Sequence, residues 1–328
     1  MLVDVTPSFG SLVAPILSEG HVEAAYGDLI LSLVGHAATE GDGQHAITLL
    51  PSLTCEAHRG DPDQAVPACA AWFLLRLAAK LLDDVEDGDL DAGQPLHVNT
   101  STGLLELAHL CLDALTERGV PRTRVTRIGA GLARAVLRAA GGQHRDLVAS
   151  RDAVDLDPDG WLAIAAAKSG ALFAWAASAG ATIAGARGSR LEGYRRYGEC
   201  LGVLLQIADD YNDVWAPEAD ATKRHDLPPS DAPNLAIAYA CLVADESTRQ
   251  HLGCDLRAAR DGDAEALTAA RDALIDLGAQ AFVLAAGRTQ RRVATEALGA
   301  AGAQPAIARR LVALLDGVMP AMGAVSDL

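Results

Sequence analysis

The chain has 328 residues, half of them hydrophobic, and a formal net charge of −16. Aromatic residues make up only 4 % of it, and its long stretches of Ala, Leu, Arg, Glu and Asp lack the β-branched and aromatic clusters that are typical of strands. Nucleic acids and anionic membrane surfaces would repel so much negative charge, which argues against both as partners unless metal cations mediate. An anionic substrate would need a local device that neutralises charge.

Clusters of Gly, Pro and Asp divide the sequence into segments of helical length, in which apolar residues recur three and four positions apart. In chain order the clusters are GDGQ (41–44), RGDPDQ (59–64), DGDLDAGQP (88–95), RGVP (118–121), DLDPDG (155–160), GARGS (185–189), DLPPSDAPN (226–234) and GDA (262–264). No low-complexity linker separates these segments. We predict an all-α fold, a single domain over 1–328 built as a bundle of roughly ten helices.

The sequence predicts a cytoplasmic protein without a membrane span. Its first residues, MLVDVTPSFG, contain an acid and lack the basic region of a signal peptide. The most apolar region, Trp161 to Ala186, is long enough to cross a bilayer, but it is mostly Ala and Gly and holds Lys168 near its middle. A lysine at mid-span costs about 2.5–3.5 kcal/mol, so a buried core helix is the better interpretation.

Two acidic motifs carry the chemistry that the sequence predicts. DDVED (83–87) and DDYND (209–213) each end an apolar run, and the first and last Asp of each are four residues apart, on one face of a helix. A solvated acidic turn is one interpretation of either motif. Two copies in a helical bundle favour another, a socket in which Mg²⁺ bridges carboxylates and a diphosphate. The predicted catalytic and metal-binding residues are Asp83, Asp84, Asp87, Asp209, Asp210 and Asp213.

With these motifs the chain resembles the trans-isoprenyl diphosphate synthases, the polyprenyl synthetase family, from about Gly41 to Ala240. DDVED and DDYND resemble its two aspartate-rich motifs, with Gln206 three residues before the second. GQHRDL (142–147) resembles the family's G-Q-x-x-D-L element and KSGALF (168–173) its K-T-x-x-L-F element. The resemblance implies an all-α fold with a central cavity, three Mg²⁺ ions, an allylic diphosphate substrate and a homodimer.

The resemblance also suggests residues that contact the substrate. Lys168 would bind the diphosphate, while Gln143, Asp146 and Gln206 lie at motif positions. Lys223 follows the second motif, although at a spacing that differs from the family's. Further candidates line the expected hydrocarbon pocket: Ala79 and Ala78, four and five residues before Asp83, leave it deep enough for C15–C20 chains, and the rings of Trp175 and Phe173 could face a carbocation. The roles of Arg76 and Lys80 stay open, although Lys80 can pair with Asp84 one turn on.

Three basic elements of the family are replaced in this sequence. Gln44, His45 and Ile47 stand at the first, Asp91 and Ala92 at the second and Asp231 at the third. Each charge-assisted bond lost to an isolated diphosphate is worth about 1.5–3 kcal/mol, so we infer that isopentenyl diphosphate is not bound.

The preferred interpretation is therefore a class I terpene synthase, a lyase that ionises an allylic diphosphate and lets the cation cyclise or be quenched. One alternative is a prenyltransferase that elongates the substrate with isopentenyl diphosphate, its cations supplied from elsewhere, for example by Arg122, Arg124 or Arg127. Another is prenyl transfer to an acceptor such as an indole or a peptide side chain. A non-catalytic partner subunit is the last, and it would have little reason to keep both acidic motifs.

Overall fold

The computed structural model describes residues 7–39, 46–86, 92–151, 156–215 and 234–320. Within these ranges the regular structure is helical, and no strand occurs. The α-helices are α1 (Pro7–Glu19), α2 (Ala24–Thr39), α3 (Leu50–Ala57), α4 (Val66–Glu86), α5 (Gln94–Cys111), α6 (Ala114–Glu117), α7 (Arg122–Arg151), α8 (Pro158–Ala165), α9 (Ala171–Ile183), α10 (Gly188–Trp215), α11 (Leu235–Val243), α12 (Glu246–Arg260), α13 (Ala264–Asp276), α14 (Ala279–Ala301) and α15 (Pro305–Val318). The all-α prediction is confirmed.

The predicted punctuation marks real helix boundaries. Within the predicted clusters, Asp157 and Asp263 each cap a helix by accepting backbone N–H bonds, the shortest of which are 2.7 Å and 2.9 Å long. Asp245, which lies in none of the predicted clusters, caps α12 in the same way at 2.8 Å. Such caps satisfy donors that the first turn of a helix leaves without a partner. Gly119 and Gly262 have positive φ, as chain reversals between helices require.

Contacts within the chain group its residues into two compact units. The first comprises residues 1–135, 174–195 and 297–314, and the second comprises 136–173, 196–296 and 315–328. The single domain over 1–328 stays a prediction.

The first unit is built on α4 and α5, which pack along each other, with α1 against both. Its core includes Trp72, Leu74 and Leu104, each fully buried. The indole of Trp72 donates to the carbonyl oxygen of Ile47 at 3.0 Å, and the indole of Trp175 donates to that of Ile128 at 3.1 Å. These two rings lie 6.5 Å apart between centroids, so aromatic packing joins α4 to α9.

In the second unit, α8 packs on α11 and α12 packs on α13. Between α8 and α9 the chain widens into one π-helical turn, Ala166–Gly170. Glycines on two neighbouring helices allow those helices to approach this turn closely. A Cβ on Gly142 of α7 would lie 2.6 Å from the backbone nitrogen of Lys168, and a Cβ on Gly202 of α10 would lie 2.8 Å from the Ser169 carbonyl group. We call this arrangement the glycine clamp.

Two helical stretches, Pro62–Glu86 and Pro158–Ile183, are long and apolar enough to cross a membrane by length and composition alone. In their most apolar windows 67 % and 56 % of the residues are buried inside the protein, as in core helices. This agrees with the interpretation of the second stretch as a core helix. Two helices that qualify by length and composition alone are weak evidence for a membrane span.

Candidate active site

The second acidic motif lies at the carboxyl end of α10, which ends at Trp215. Asp209 is exposed, whereas Asp210 and Asp213 are half-buried. Negative charge is unfavourable at this end of a helix dipole, and carboxylates one turn apart repel each other. Arg271 offsets part of this cost by donating to the Val214 carbonyl oxygen at 2.7 Å.

The pKa of Asp210 reflects its burial and the negative charges of the carboxylates around it. Burial raises the pKa of this carboxyl well above its usual value, and the charges of Asp213, Asp209 and Asp146 raise it further. The backbone N–H of Leu235 donates to the carboxylate and opposes the shift only in part. A cation placed among these groups would reverse the balance, since it favours the ionised form.

Asn234 is a residue of this site that the sequence interpretation missed. It is 2 % exposed, and its amide donates to the Asp210 carbonyl oxygen at 3.3 Å. Its side-chain oxygen meanwhile caps α11 by accepting from Ala236 at 2.9 Å and Ile237 at 3.3 Å. An Asn directly before an apolar helix is an N-cap signal, so this role could have been found in the sequence.

Lys168 lies in the π-helical turn, held there by the glycine clamp. Its ammonium pairs with the Asp146 carboxylate at 3.2 Å, and both side chains are about one-fifth to one-quarter exposed. π-Turns are often found at functional sites because they shift a side chain out of the helical register. The structure thus places Lys168 beside a member of the carboxylate cluster.

The two glutamines differ in their surroundings. Gln143, half-buried on α7, has a buried side-chain oxygen without a hydrogen-bond partner in the described part of the chain. Such an orphaned acceptor is costly unless a ligand or water satisfies it. Gln206 is half-buried on α10, one turn before Asp209 and Asp210.

The first acidic motif lies in the first unit. Asp83 and Asp84 are half-buried in the last turn of α4, and Asp87 lies outside the described residues. Lys80 pairs with Asp84 at 3.0 Å, which confirms the predicted one-turn contact. Arg76 instead contacts the Thr48 hydroxyl at 3.3 Å and lies 5.8 Å from the centre of the Trp72 ring. Burial lowers the pKa of Arg76 to about 10, which still leaves it charged at neutral pH.

The predicted pocket residues are placed as follows. Ala79 is half-buried on α4, while Trp175 of the first unit and Phe173 of the second are 4 % and 7 % exposed. Lys223 lies outside the described residues. The structure therefore brings together Asp146, Lys168, Asp209, Asp210 and Asp213 in the second unit, and the pairing of that cluster with the first motif stays a prediction.

The replaced basic elements are described only in part. Ile47 is buried and Ala92 is exposed, whereas Gln44, His45, Asp91 and Asp231 lie outside the described residues. Of the three arginines considered as substitutes, Arg124 has a structural role, since it donates to the Ile183 carbonyl oxygen at 2.9 Å. Arg122 and Arg127 are exposed.

The carboxylate cluster has the donor chemistry for a hard cation such as Mg²⁺, which prefers oxygen ligands. In the described ranges no group of three or more His, Cys, Asp or Glu side chains could hold a metal ion on its own. Mg²⁺ sites formed by one or two carboxylates, waters and substrate phosphates need no such group. Burial and, to a smaller extent, the neighbouring carboxylates raise the pKa of Asp210, and a bound divalent cation would favour its ionised form, so the residues fit the ion.

Comparison with known proteins gives consistent results. The family model "Polyprenyl synthetase" matches residues 30–274. The chain is 28 % identical to geranylgeranyl pyrophosphate synthase 10 of Arabidopsis thaliana, named as mitochondrial, over 53 % of the chain and 54 % of that relative. It is also 28 % identical to a short chain isoprenyl diphosphate synthase of Methanothermobacter thermautotrophicus, over 60 % of the chain and 62 % of that relative. The matches thus span less than two thirds of either relative.

A solved structure shares the fold. Geranylgeranyl pyrophosphate synthase from Corynebacterium glutamicum, complexed with isoprenyl diphosphate and magnesium, superimposes with a TM-score of 0.78 at 17 % identity. The alignment covers 97 % of this chain and 99 % of that one. At this identity the likeness shows the fold alone.

The preferred interpretation as a terpene synthase is wrong. The relatives and the structural neighbour are named as geranylgeranyl pyrophosphate synthases or as a short chain isoprenyl diphosphate synthase, which agrees with the alternative of chain elongation. The error came from equating three missing basic elements with a missing anion site. A diphosphate is bound by cations that are close in space, and α4 carries two cations outside those elements, Arg76 beside Thr48 and Lys80 beside Asp84.

The family model covers most of the chain, and the helical fold matches that of a solved member. The chain belongs to the polyprenyl synthetase family.

Proposed function

We propose that the chain is a trans-prenyltransferase that elongates an allylic prenyl diphosphate with isopentenyl diphosphate. The C–O bond of the allylic substrate breaks, a C–C bond forms to the second substrate, and a proton is lost. The products are a longer prenyl diphosphate and free diphosphate. The observation that carries the proposal is the cluster of Asp146, Lys168 and the DDYND carboxylates in a chain of this family.

In this function the carboxylates of each acidic motif would hold Mg²⁺ against the diphosphate leaving group, with three ions as the resemblance implies. Bound Mg²⁺ acts as a Lewis acid that neutralises the leaving group. Asn234 and the Leu235 N–H hold the backbone and carboxylate of Asp210 in place, so the site is formed before substrate arrives.

Lys168 adds a positive contact to the leaving diphosphate. It pairs with Asp146, and its ammonium can exchange that partner for a phosphate oxygen. Because the clamp fixes the backbone of its turn, the lysine is positioned from two sides. The orphaned oxygen of Gln143, one residue after Gly142 and three residues before Asp146 on α7, could accept a hydrogen bond from a bridging water.

The second diphosphate, that of isopentenyl diphosphate, needs cations as well. Arg76 lies against Thr48, at the end of the segment where the family's first basic element would fall. We assign it to this role, since a guanidinium with a pKa of about 10 remains charged at neutral pH. Arg76→Gln should raise the KM for isopentenyl diphosphate more than that for the allylic substrate.

The remaining features follow from the resemblance and belong to the same proposal. They are a single domain, a homodimer, C15–C20 substrates in a pocket beside Ala79, and a cytoplasmic location. Light scattering during size-exclusion chromatography measures the oligomeric state. Replacing Ala79 by Phe should shorten the product, since a larger side chain would raise the floor of the pocket.

The decisive experiment supplies Mg²⁺ with geranyl, farnesyl or geranylgeranyl diphosphate, with and without isopentenyl diphosphate, and identifies the products by mass spectrometry. We expect a longer diphosphate only when isopentenyl diphosphate is present, and its loss in Asp83→Ala and Asp209→Ala. Exposed Asp159→Ala, on α8, is the matched control. Consumption of the allylic substrate at the same rate without isopentenyl diphosphate contradicts the proposal, as does full activity of both motif variants.

A further inference from the structure

A cavity of about 260 Å³ lies within the first unit, between the beginning of α7, the end of α9 and the beginning of α10. Its walls include Arg127 and Arg134 from α7, Trp175 from α9, and Glu192 and Arg195 from α10. No residue of the two acidic motifs lines it, and neither does Lys168. We call it the arginine cavity.

The charge of the arginine cavity is opposite to that of the chain. Three arginines and one glutamate line it, a formal balance of +2 in a protein of −16. Arg127 and Arg134 are seven residues apart, so they lie on one face of α7, about 10 Å from each other along the axis. Gly131 between them leaves the floor open to the Trp175 ring, whose nearest carbon would lie 3.3 Å from a Cβ at that position.

The hydrogen-bond donors of the cavity separate into two groups. Trp175, Ser178 and Thr182 donate to backbone oxygens at 3.1, 3.0 and 2.7 Å, so their donors are already used. Across the described ranges the side chains of Arg127 and Arg134 make no hydrogen bond or ion pair, although both line this concave surface.

Arg195 is the third cation, and it is held by Glu192 through two bonds of 2.6 and 2.8 Å. This pair shows that the cavity already accommodates one oxyanion in forked contact with a guanidinium. A ligand with two anionic centres could bridge Arg127 and Arg134 in the same geometry, which is the pattern for which guanidinium forks are suited.

We propose that the arginine cavity binds a diphosphate group without a metal ion, either as free diphosphate or as the head group of a prenyl diphosphate. Its volume equals that of about nine waters at roughly 30 Å³ each, which exceeds the need of a single phosphate. The choice of diphosphate among phosphate-type anions rests on the proposed function, which consumes and releases diphosphates. The site differs in principle from the acidic motifs, because arginines bind the anion directly and carboxylates need a cation between.

The test is isothermal titration calorimetry of the full chain with inorganic diphosphate in the presence of EDTA. Without divalent cations the acidic motifs repel the ligand, so saturable binding reports a site made of cations, and the variants that follow distinguish the arginine cavity from the site proposed at Arg76. Arg127→Gln and Arg134→Gln should each weaken binding at least tenfold, while Arg122→Gln, an exposed arginine on the same helix, is the matched control. Glu192→Gln should tighten binding several-fold, because it removes a competing carboxylate. Circular dichroism confirms that each variant is folded.

Geranyl diphosphate in a parallel titration distinguishes the two sources of the head group. Equal affinities for the two ligands would show that the site binds the diphosphate group alone. Tighter binding of geranyl diphosphate would show that its hydrocarbon chain also contacts the apolar wall formed by Ile128 and Leu191. The proposal is overturned if the unmodified chain shows no saturable binding in EDTA, or if Arg127→Gln and Arg134→Gln bind as it does. Prenyl transfer with Mg²⁺ is measured separately, so failure of either proposal is seen independently of the other.

Discussion

The glycine clamp gives the sharpest prediction, because α7 carries two adjacent glycines in different surroundings. An Ala Cβ at position 142 would lie 2.6 Å from the backbone nitrogen of Lys168 and 2.9 Å from the Ala167 carbonyl carbon. Heavy atoms pack best at about 3.5–4.0 Å, so the π-helical turn must retreat by about 1 Å. At position 141 an added Cβ would meet no atom within 4 Å.

The two substitutions should therefore differ in sign. Overpacking costs about 1–3 kcal/mol, and the better helix propensity of Ala offsets about 1 kcal/mol, so Gly142→Ala should lower the free energy of unfolding by up to about 2 kcal/mol. Gly141→Ala should raise it by about 0.5–1 kcal/mol. Urea denaturation monitored by circular dichroism measures both values.

Activity should separate the variants further. A displacement of about 1 Å at Lys168 can cost about 100-fold when the lysine contacts the leaving diphosphate. We expect kcat/KM for the allylic diphosphate to fall about 10- to 100-fold in Gly142→Ala and to stay unchanged in Gly141→Ala. Equal stability and equal kcat/KM in the two variants would refute the reasoning, since they would show that the close approach constrains neither the turn nor its lysine.

Three further predictions concern single contacts. Asn234→Ala removes the cap of α11 and the hydrogen bond to the Asp210 carbonyl oxygen. It should lower the free energy of unfolding, measured by heat or urea, by about 1–2 kcal/mol and should reduce kcat. Unchanged values of both would contradict the assigned role. Lys168→Met should raise the KM for the allylic diphosphate at least tenfold. It should lower the free energy of unfolding by only about 1 kcal/mol, because the ion pair with Asp146 is partly exposed. A loss of stability as large as the loss of activity would indicate a purely structural lysine. Gly180→Ala should unfold the chain or lower its free energy of unfolding by more than about 3 kcal/mol, because the added Cβ would overlap the Pro51 carbonyl oxygen. Gly129→Ala is the control, since its Cβ would meet no atom within 4 Å and should not destabilise the chain. A soluble Gly180→Ala protein of unchanged stability would contradict the packing of α9 on α3.

Much of the fold was predictable because its determinants are local. Asp and Pro at positions such as Asp157 and Pro158 begin helices by supplying a cap and a fixed φ, and Gly119 and Gly262 permit the reversals that follow helices. Apolar residues at three- and four-residue spacing then decide which face of each helix is buried. Short-range rules of this kind need no knowledge of which helices become neighbours.

The motifs predicted which residues belong to the site, but not the contacts between those residues. The spacing of Asp209, Asp210 and Asp213 indicates a cation site, but the sequence does not show that Asp146 adds a fourth charge from another helix. The π-helical turn around Lys168 was not foreseen either. It depends on Gly142 and Gly202, which approach the turn from two different helices.

By itself the sequence determined the helical fold class, the acidic motifs and the likeness to a family, since each is written in residues close along the chain. The tertiary structure decided what surrounds those motifs: Asn234 beneath Asp210, Asp146 opposite Lys168, and Arg76 against Thr48. The failed inference about isopentenyl diphosphate lies in this second class. Electrostatic attraction depends on distance in space, so a cation missing from one position of the sequence can be replaced by a cation from another helix.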